Sequence, residues 1–163
     1  MDRTREAIFS ILIHSGWGPD GGSPVDGAIV LDGFCGTGAL GLEALSRGAA
    51  HCTFLDMGRA ALEAVRTNLA QLGEEGRAAV LRADATRPPA ARQPCTLAFL
   101  DPPYGQELAA KALAGLAGAG WLAPGAVAVV EVGKADPLRP PDGFAVLDER
   151  RYGDTRVLFL SFS

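Results

Sequence analysis

The sequence predicts an α/β fold built on a mostly parallel sheet, and three observations lead there. Short aliphatic runs alternate with helical patterns along most of the chain, the order that gives parallel strands covered by helices. The first such run, Ala28-Ile29-Val30-Leu31-Asp32, passes straight into a glycine turn and a helix start. The last two runs are joined only by Arg150 to Asp154, too short for a parallel crossover, so these two strands pair antiparallel.

In chain order, residues 2–13 open with a helix whose apolar face is Ala7, Ile8, Ile11 and Leu12. Ser15 to Pro24 is rich in glycine and reads as a mobile loop. Strands are expected at 28–32, 51–55, 78–83, 95–100, 126–132, 143–149 and 155–161, with helices at 39–47, 58–72 and 106–118. The expectation is one domain over 1–163 with seven strands, no internal repeat and no second domain.

Composition narrows the class. A chain of 163 residues with 48% hydrophobic content can bury one sizeable core, and no apolar run approaches eighteen residues, which argues against a membrane span. Cys35, Cys52 and Cys95 are scattered without C-x-x-C spacing, so neither disulfides nor zinc are expected and a reducing cytoplasm is. His14 and His51 lack ligand spacing and read as structural, and no metal is expected.

The chemistry starts at the glycine turn. Gly36-x-Gly38-x-x-Gly41 follows a strand and opens a helix, and Asp56 lies twenty residues beyond Gly36, where an acidic side chain would hold ribose hydroxyls. That pattern suits a nicotinamide enzyme, except that Asp32 ends the strand where a pyrophosphate would lie, and like charges a few Å apart repel. A ligand with cationic groups fits better. S-adenosyl-L-methionine (AdoMet) carries an ammonium, a sulfonium and a ribose, with Asp32 serving the methionine end, Asp56 the ribose diol and the helix N-terminus the carboxylate. Asp84, after Val80-Leu81-Arg82-Ala83, is placed to accept from the adenine amino group, and Met57 and Ala85 are counted with the same site.

A fourth strand end carries Asp101-Pro102-Pro103-Tyr104. The prolines fix φ near about −65° and push the preceding residues extended, so the carbonyls point in set directions. Asp101 and the Pro102 carbonyl can accept both hydrogens of an exocyclic NH2 group while Tyr104 stacks on the ring. The competing reading is an Asp-Pro-Pro turn that only ends a strand. Each Asp alone suits a turn equally well; four at successive strand ends do not.

The chain resembles a Rossmann-like class I AdoMet-dependent methyltransferase, and in detail the family that methylates N2 of a guanine in bacterial 16S ribosomal RNA. The residues carrying the resemblance are Asp2-Arg3-Thr4-Arg5-Glu6-Ala7-Ile8-Phe9-Ser10-Ile11-Leu12, the run Leu31 to Leu45, Asp101 to Tyr104, and Tyr152-Gly153-Asp154-Thr155. It implies a seven-stranded, mostly parallel sheet with an antiparallel last strand, and methyl transfer to 16S rRNA in a partly or fully assembled small ribosomal subunit. By the same resemblance Asp101, Pro102 and Tyr104 are catalytic, Asp32, Gly36, Gly38, Asp56, Met57, Asp84 and Ala85 bind the cofactor, and Pro103, Glu131 and Tyr152 face the substrate. The protein is expected to be a cytoplasmic monomer.

Two departures stand out. Family members usually begin with about twenty further basic, glycine-containing residues, and the connector Ser15 to Pro24 is longer than usual. The formal net charge of −4 is unexpected for unaided RNA binding. Of the remaining cations, Arg3, Arg5, Arg82, Arg87, Arg92, Lys134, Arg139, Arg150, Arg151 and Arg156, any one reads as a solvated charge unless several gather at the strand carboxyl ends. An adenine-N6 methyltransferase, a nicotinamide enzyme and a non-catalytic AdoMet-fold module remain as alternatives.

Overall fold

The computed structural model describes residues 2–104 and 107–163. Its elements run α1 (Arg3–His14), β1 (Ile29–Asp32), α2 (Ala39–Ser46), β2 (His51–Asp56), α3 (Arg59–Leu72), β3 (Ala78–Arg82), β4 (Cys95–Leu100), α4 (Leu108–Gly118), β5 (Leu122–Gly133), β6 (Phe144–Tyr152) and β7 (Thr155–Phe162). Every expected strand and helix is present, with ends shifted by a few residues. The expected start of the fourth helix, at 106, lies outside the described residues.

The sheet order is β3-β2-β1-β4-β5-β7-β6. Pairing is parallel from β3 through β5, and β7 runs antiparallel to both neighbours. The chain lays down β1, β2 and β3 in one direction, then returns to place β4 on the other flank of β1. The tight Gly153 turn, with φ +58°, lets β7 fold back between β5 and β6.

Period-two alternation divides the core into two layers. Val30, Phe54, Phe99, Val129 and Phe159 face α1, α2 and α3, while Leu31, Leu55, Leu100, Val130 and Leu160 face α4. On α1 the buried row is Ile8, Phe9 and Leu12. Phe9 was not in the face expected from sequence, and it meets Phe99 with ring centroids 5.4 Å apart. Asp2 caps this helix by accepting the Thr4 N–H at 2.8 Å.

The connector after α1, expected from its glycine content to be a mobile loop, makes specific contacts with the core and within itself. Trp17 packs on Phe159 at 5.4 Å, Gly18 donates to the Gly22 carbonyl at 2.8 Å, the Ser15 hydroxyl donates to the Leu12 carbonyl, and Val25 is buried. Composition carries no signal for the Trp17–Phe159 contact, which joins residues far apart along the chain.

Arg77 fastens α2 from outside: its guanidinium donates to the carbonyls of Leu45 and Ala49 at 3.2 and 2.7 Å and pairs with Glu74. A cation at the carboxyl end of a helix also opposes the helix dipole.

Gly41 is where packing is tightest. A Cβ there would lie 2.4 Å from Phe54 Cε1 and 2.7 Å from Cys52 Sγ, both buried. Gly41→Ala gains up to about 1 kcal/mol of helix propensity but overpacks the core at a cost of about 1–3 kcal/mol. The clash wins, so the urea midpoint of Gly41→Ala is expected to fall with the m-value unchanged.

Candidate active site

The strand order reverses between β1 and β4, and in open α/β sheets ligands bind outside the carboxyl ends of strands at such a point. A cavity of about 880 Å³ opens there. Its walls include six carboxylates: Asp2, Asp32, Asp56, Asp84, Asp101 and Glu131. The glycine turn and Asp101-Pro102-Pro103-Tyr104 form opposite sides of the same space.

Four of these carboxylates are aimed by strand alternation. Asp32, Asp56, Asp101 and Glu131 each stand two residues beyond a residue of the α1–α3 layer, namely Val30, Phe54, Phe99 and Val129. The shared parity turns all four to one side of the sheet. Parallel pairing sets their depth: Asp32 is level with Phe99, so Asp101 projects further, and Leu100 pairs with Val130, which brings Asp101 beside Glu131.

Asp32 is 2% exposed. One carboxylate oxygen accepts the Gly41 N–H at 3.0 Å, which is an unpaired donor in the first turn of α2. Burial is the main cause that raises its pKa to about 8; the Gly41 bond opposes this, and Asp101, Glu131 and Asp56 add to it. Burial followed by Asp101 and Asp2 raises Glu131 to about 7. Asp101 is open to the cavity, yet desolvation by the surrounding protein still raises its carboxyl, with Asp2 adding repulsion.

Gly36 and Gly38 take φ of +54° and +86°, which lets the turn curl under the cavity without a Cβ. Asp56 braces it, accepting from the Gly36 N–H at 3.0 Å and the Gly58 N–H at 2.8 Å. Asp84 accepts the Thr86 hydroxyl at 2.7 Å and the Thr86 N–H at 2.9 Å, and these bonds lower its pKa. Met57 and Ala85 line the cavity as expected, Met57 with its side chain exposed. Cys35 fills the turn, and burial pushes its thiol far above the usual range.

In the Asp101-Pro102-Pro103-Tyr104 wall of the cavity Pro102 is buried, while Pro103 and Tyr104 are exposed. The Tyr104 hydroxyl bonds the Thr155 hydroxyl at 3.0 Å, which ties the loop to the start of β7 and leaves the ring 55% exposed. Tyr152 is placed differently from the rest. It ends β6, packs against the α1-side core and does not line the cavity, although it pairs with the Thr155 that anchors Tyr104.

Among the charged lining residues, Asp2 and Arg5 escaped the sequence reading of the site. The signal was present: Arg5, Ile8, Phe9 and Leu12 recur at i, i+3, i+4 and i+7, so Arg5 belongs to the inward row of α1. The other cations are dispersed. Arg150 pairs with Asp148, Lys134 with Asp154, and Arg156 with Glu149 and the Asp136 carbonyl. Among the described residues no cluster of three His, Cys, Asp or Glu side chains is arranged to hold a metal ion, and no helix is long and apolar enough to cross a membrane.

A family model described as conserved hypothetical protein 95 matches residues 1–161. The ribosomal RNA small subunit methyltransferase D of Haemophilus influenzae is 33% identical over 156 residues, covering 93% of this chain and 76% of that protein. Its counterpart in Escherichia coli K12 is 39% identical over 132 residues, covering 80% of this chain and 61% of that one. A solved Escherichia coli structure described as a methyltransferase superposes with a TM-score of 0.85 at 32% identity, covering all of this chain and 88% of that one. The chain therefore belongs to the conserved hypothetical protein 95 family, together with the ribosomal RNA small subunit methyltransferases D, and is by family and fold a class I methyltransferase.

Proposed function

We propose that this protein transfers a methyl group from AdoMet to the exocyclic N2 of a guanine in 16S rRNA, acting in the cytoplasm as a monomer on the small ribosomal subunit. The observation that carries this reading is the meeting of buried, unneutralised Asp32 and its neighbouring carboxylates with Asp101-Pro102-Pro103-Tyr104 in one cavity. The cavity fits AdoMet by its donor and acceptor chemistry. Among the described residues Asp32 has an oxygen beyond the one engaged by Gly41 with which to receive an ammonium, and Asp56 and Asp84 retain acceptor capacity for a ribose diol and an adenine amino group. When bound, AdoMet supplies a methyl group already activated on a sulfonium.

The protein's share is positioning and proton handling. Asp101 and the Pro102 carbonyl accept the two N–H bonds of the target amine and turn its lone pair toward the methyl carbon, with reacting atoms held about 3–3.5 Å apart. Tyr104, its hydroxyl fixed by Thr155, presents a ring face to a base drawn out of its stack. As nitrogen gains the methyl group it gives up a proton, and the raised pKa of Asp101 supports its acting as the acceptor.

Asp101→Ala is expected to lower turnover by about 100-fold or more while AdoMet affinity stays near that of the unchanged protein. Asp56→Ala should instead weaken AdoMet binding. Near-normal turnover of Asp101→Ala in a single-turnover assay would remove that residue from the site.

The raised pKa values of Asp32 and Glu131 give a pH signature. In the unfolded chain both ionise near the ordinary carboxylate values of about 4, whereas the folded protein holds protons up to about 8 and about 7. The folded state binds more protons across that window, so ligand-free stability should fall as pH rises from about 4 to about 8. A cationic ligand reverses the burial effect, so AdoMet binding at pH 7 should release protons, measurable by calorimetry in buffers of different ionisation enthalpy. Absence of proton release would argue that Asp32 does not face the ammonium.

The direct test is labelled methyl transfer from AdoMet to small ribosomal subunits lacking their natural modifications, beside naked 16S RNA and duplex DNA. N2-methylguanine in the RNA is the expected product; N6-methyladenine in DNA would replace the substrate assignment.

A further inference from the structure

Five acids of the cavity stand in a row across the sheet. In the strand order β3, β2, β1, β4, β5 they are Asp84, Asp56, Asp32, Asp101 and Glu131, each at or near a carboxyl end. The first three have the cofactor roles argued above and Asp101 receives the target amine, so Glu131, last in the row, is left without a task. Its surroundings are set by the sheet. Leu100 pairs with Val130, so Asp101 stands beside Glu131. Gly133, two residues on and on the same side of β5, lies under Tyr104, where a Cβ would be 3.7 Å from Tyr104 Cγ. Glu131 is thus flanked by the group that takes the amine and by the ring that takes the base face.

The Glu131 carboxylate is half-buried and lacks a counter-charge. Burial, then repulsion from Asp101 and Asp2, raises its pKa to about 7, and among the described residues no hydrogen bond or cation offsets this. An ionised carboxylate only accepts hydrogen bonds, so the ligand group that suits it is a donor lying next to the amine. Adenine, cytosine and guanine all carry an exocyclic amine. Beside it adenine has the N1 lone pair and cytosine the N3 lone pair, whereas guanine has N1–H. Guanine alone offers a ring donor at that place on its Watson–Crick edge, the edge by which an extruded base is read.

We propose that Glu131 reads the base: its carboxylate accepts the N1–H of the target guanine, admits guanine over adenine and cytosine, and fixes which flank of the amine faces β5. This rests on the guanine-N2 reading and adds to it the source of the base specificity. With Asp101 and the Pro102 carbonyl on the amine, every donor of the guanine edge then has an acceptor. A base with a lone pair at that place would set two acceptors against each other or force the carboxylate to hold a proton. The rival role for Glu131 is general base. It is disfavoured because Asp101 already contacts the nitrogen that loses the proton, while Glu131 stands one strand further from the cofactor acids.

The test uses small ribosomal subunits reconstituted with 16S rRNA that carries either guanine or 2-aminopurine at the position taking labelled methyl from AdoMet. 2-Aminopurine keeps the amine but has a lone pair at N1. The unchanged protein should favour guanine by about 100-fold in kcat/KM, as expected when a buried polar group is left unpaired. Glu131→Gln, whose amide can accept or donate, and Glu131→Ala should each bring the two bases to within about 10-fold of one another. The missing O6 and any difference in amine reactivity weigh equally on all three proteins and cancel in the comparison. AdoMet binding by each variant, measured by calorimetry, checks that its cavity is folded. Equal rates on the two bases by the unchanged protein would overturn the proposal without recourse to a variant. Equal slowing of both bases in the variants, as a general base or a structural group would give, would overturn it too. Failure of the unchanged protein to form N2-methylguanine would overturn the guanine-N2 reading itself.

Discussion

The hydrogen bond from the Gly41 N–H to buried Asp32 is the contact on which the site depends. It joins the end of β1 to the first turn of α2, so the glycine turn between them is held at both ends. Gly41 meets two demands at once. Its N–H caps the carboxylate, and its missing Cβ lets the helix lie against Phe54 and Cys52. Phe54 in turn sits two residues before Asp56, which fixes the turn from the other side through the Gly36 N–H. The position of the turn therefore follows from core packing on one face of β2.

A cavity walled by acidic groups is not arranged for the stability of the ligand-free protein. Burying Asp32 without a counter-charge costs electrostatic free energy, and its raised pKa is the visible consequence. Such a conflict between local stability and local chemistry is common at functional sites. Here it makes the cavity a better environment for positive than for negative charge. The excess of acidic over basic groups among the described lining residues is a property of the assembled cavity, which no single strand end has by itself.

The wall formed by Asp101-Pro102-Pro103-Tyr104 depends on a remote part of the sheet. Tyr104 is steadied by Thr155 at the start of β7, and β7 is inserted between β5 and β6 by the reversal at Gly153. Glu131 faces the same space from β5, where it pairs with Val157. The hairpin that closes the chain thus helps to shape the wall on which a base would stack. Tyr152 contributes through that hairpin's packing and not through the cavity lining.

The sequence by itself determined the seven strands, the antiparallel last pair and the identity of the strand-end acids. Each of these is written in local pattern: period-two runs, a five-residue connection too short to cross over, and Asp directly after apolar segments. It did not determine that Ser15 to Pro24 is fastened, because that rests on Trp17 reaching Phe159 more than a hundred residues away. Nor did it reveal Arg5, which in composition is one cation among many although its helical spacing to Phe9 and Leu12 pointed inward. Only the tertiary structure decided which acids share a cavity, how deeply Asp32 is buried, and that Tyr152 stands outside. Those outcomes depend on strand order and register, which bring distant segments together by non-local pairing, whereas local spacing fixes only the side of a strand or helix on which a residue projects.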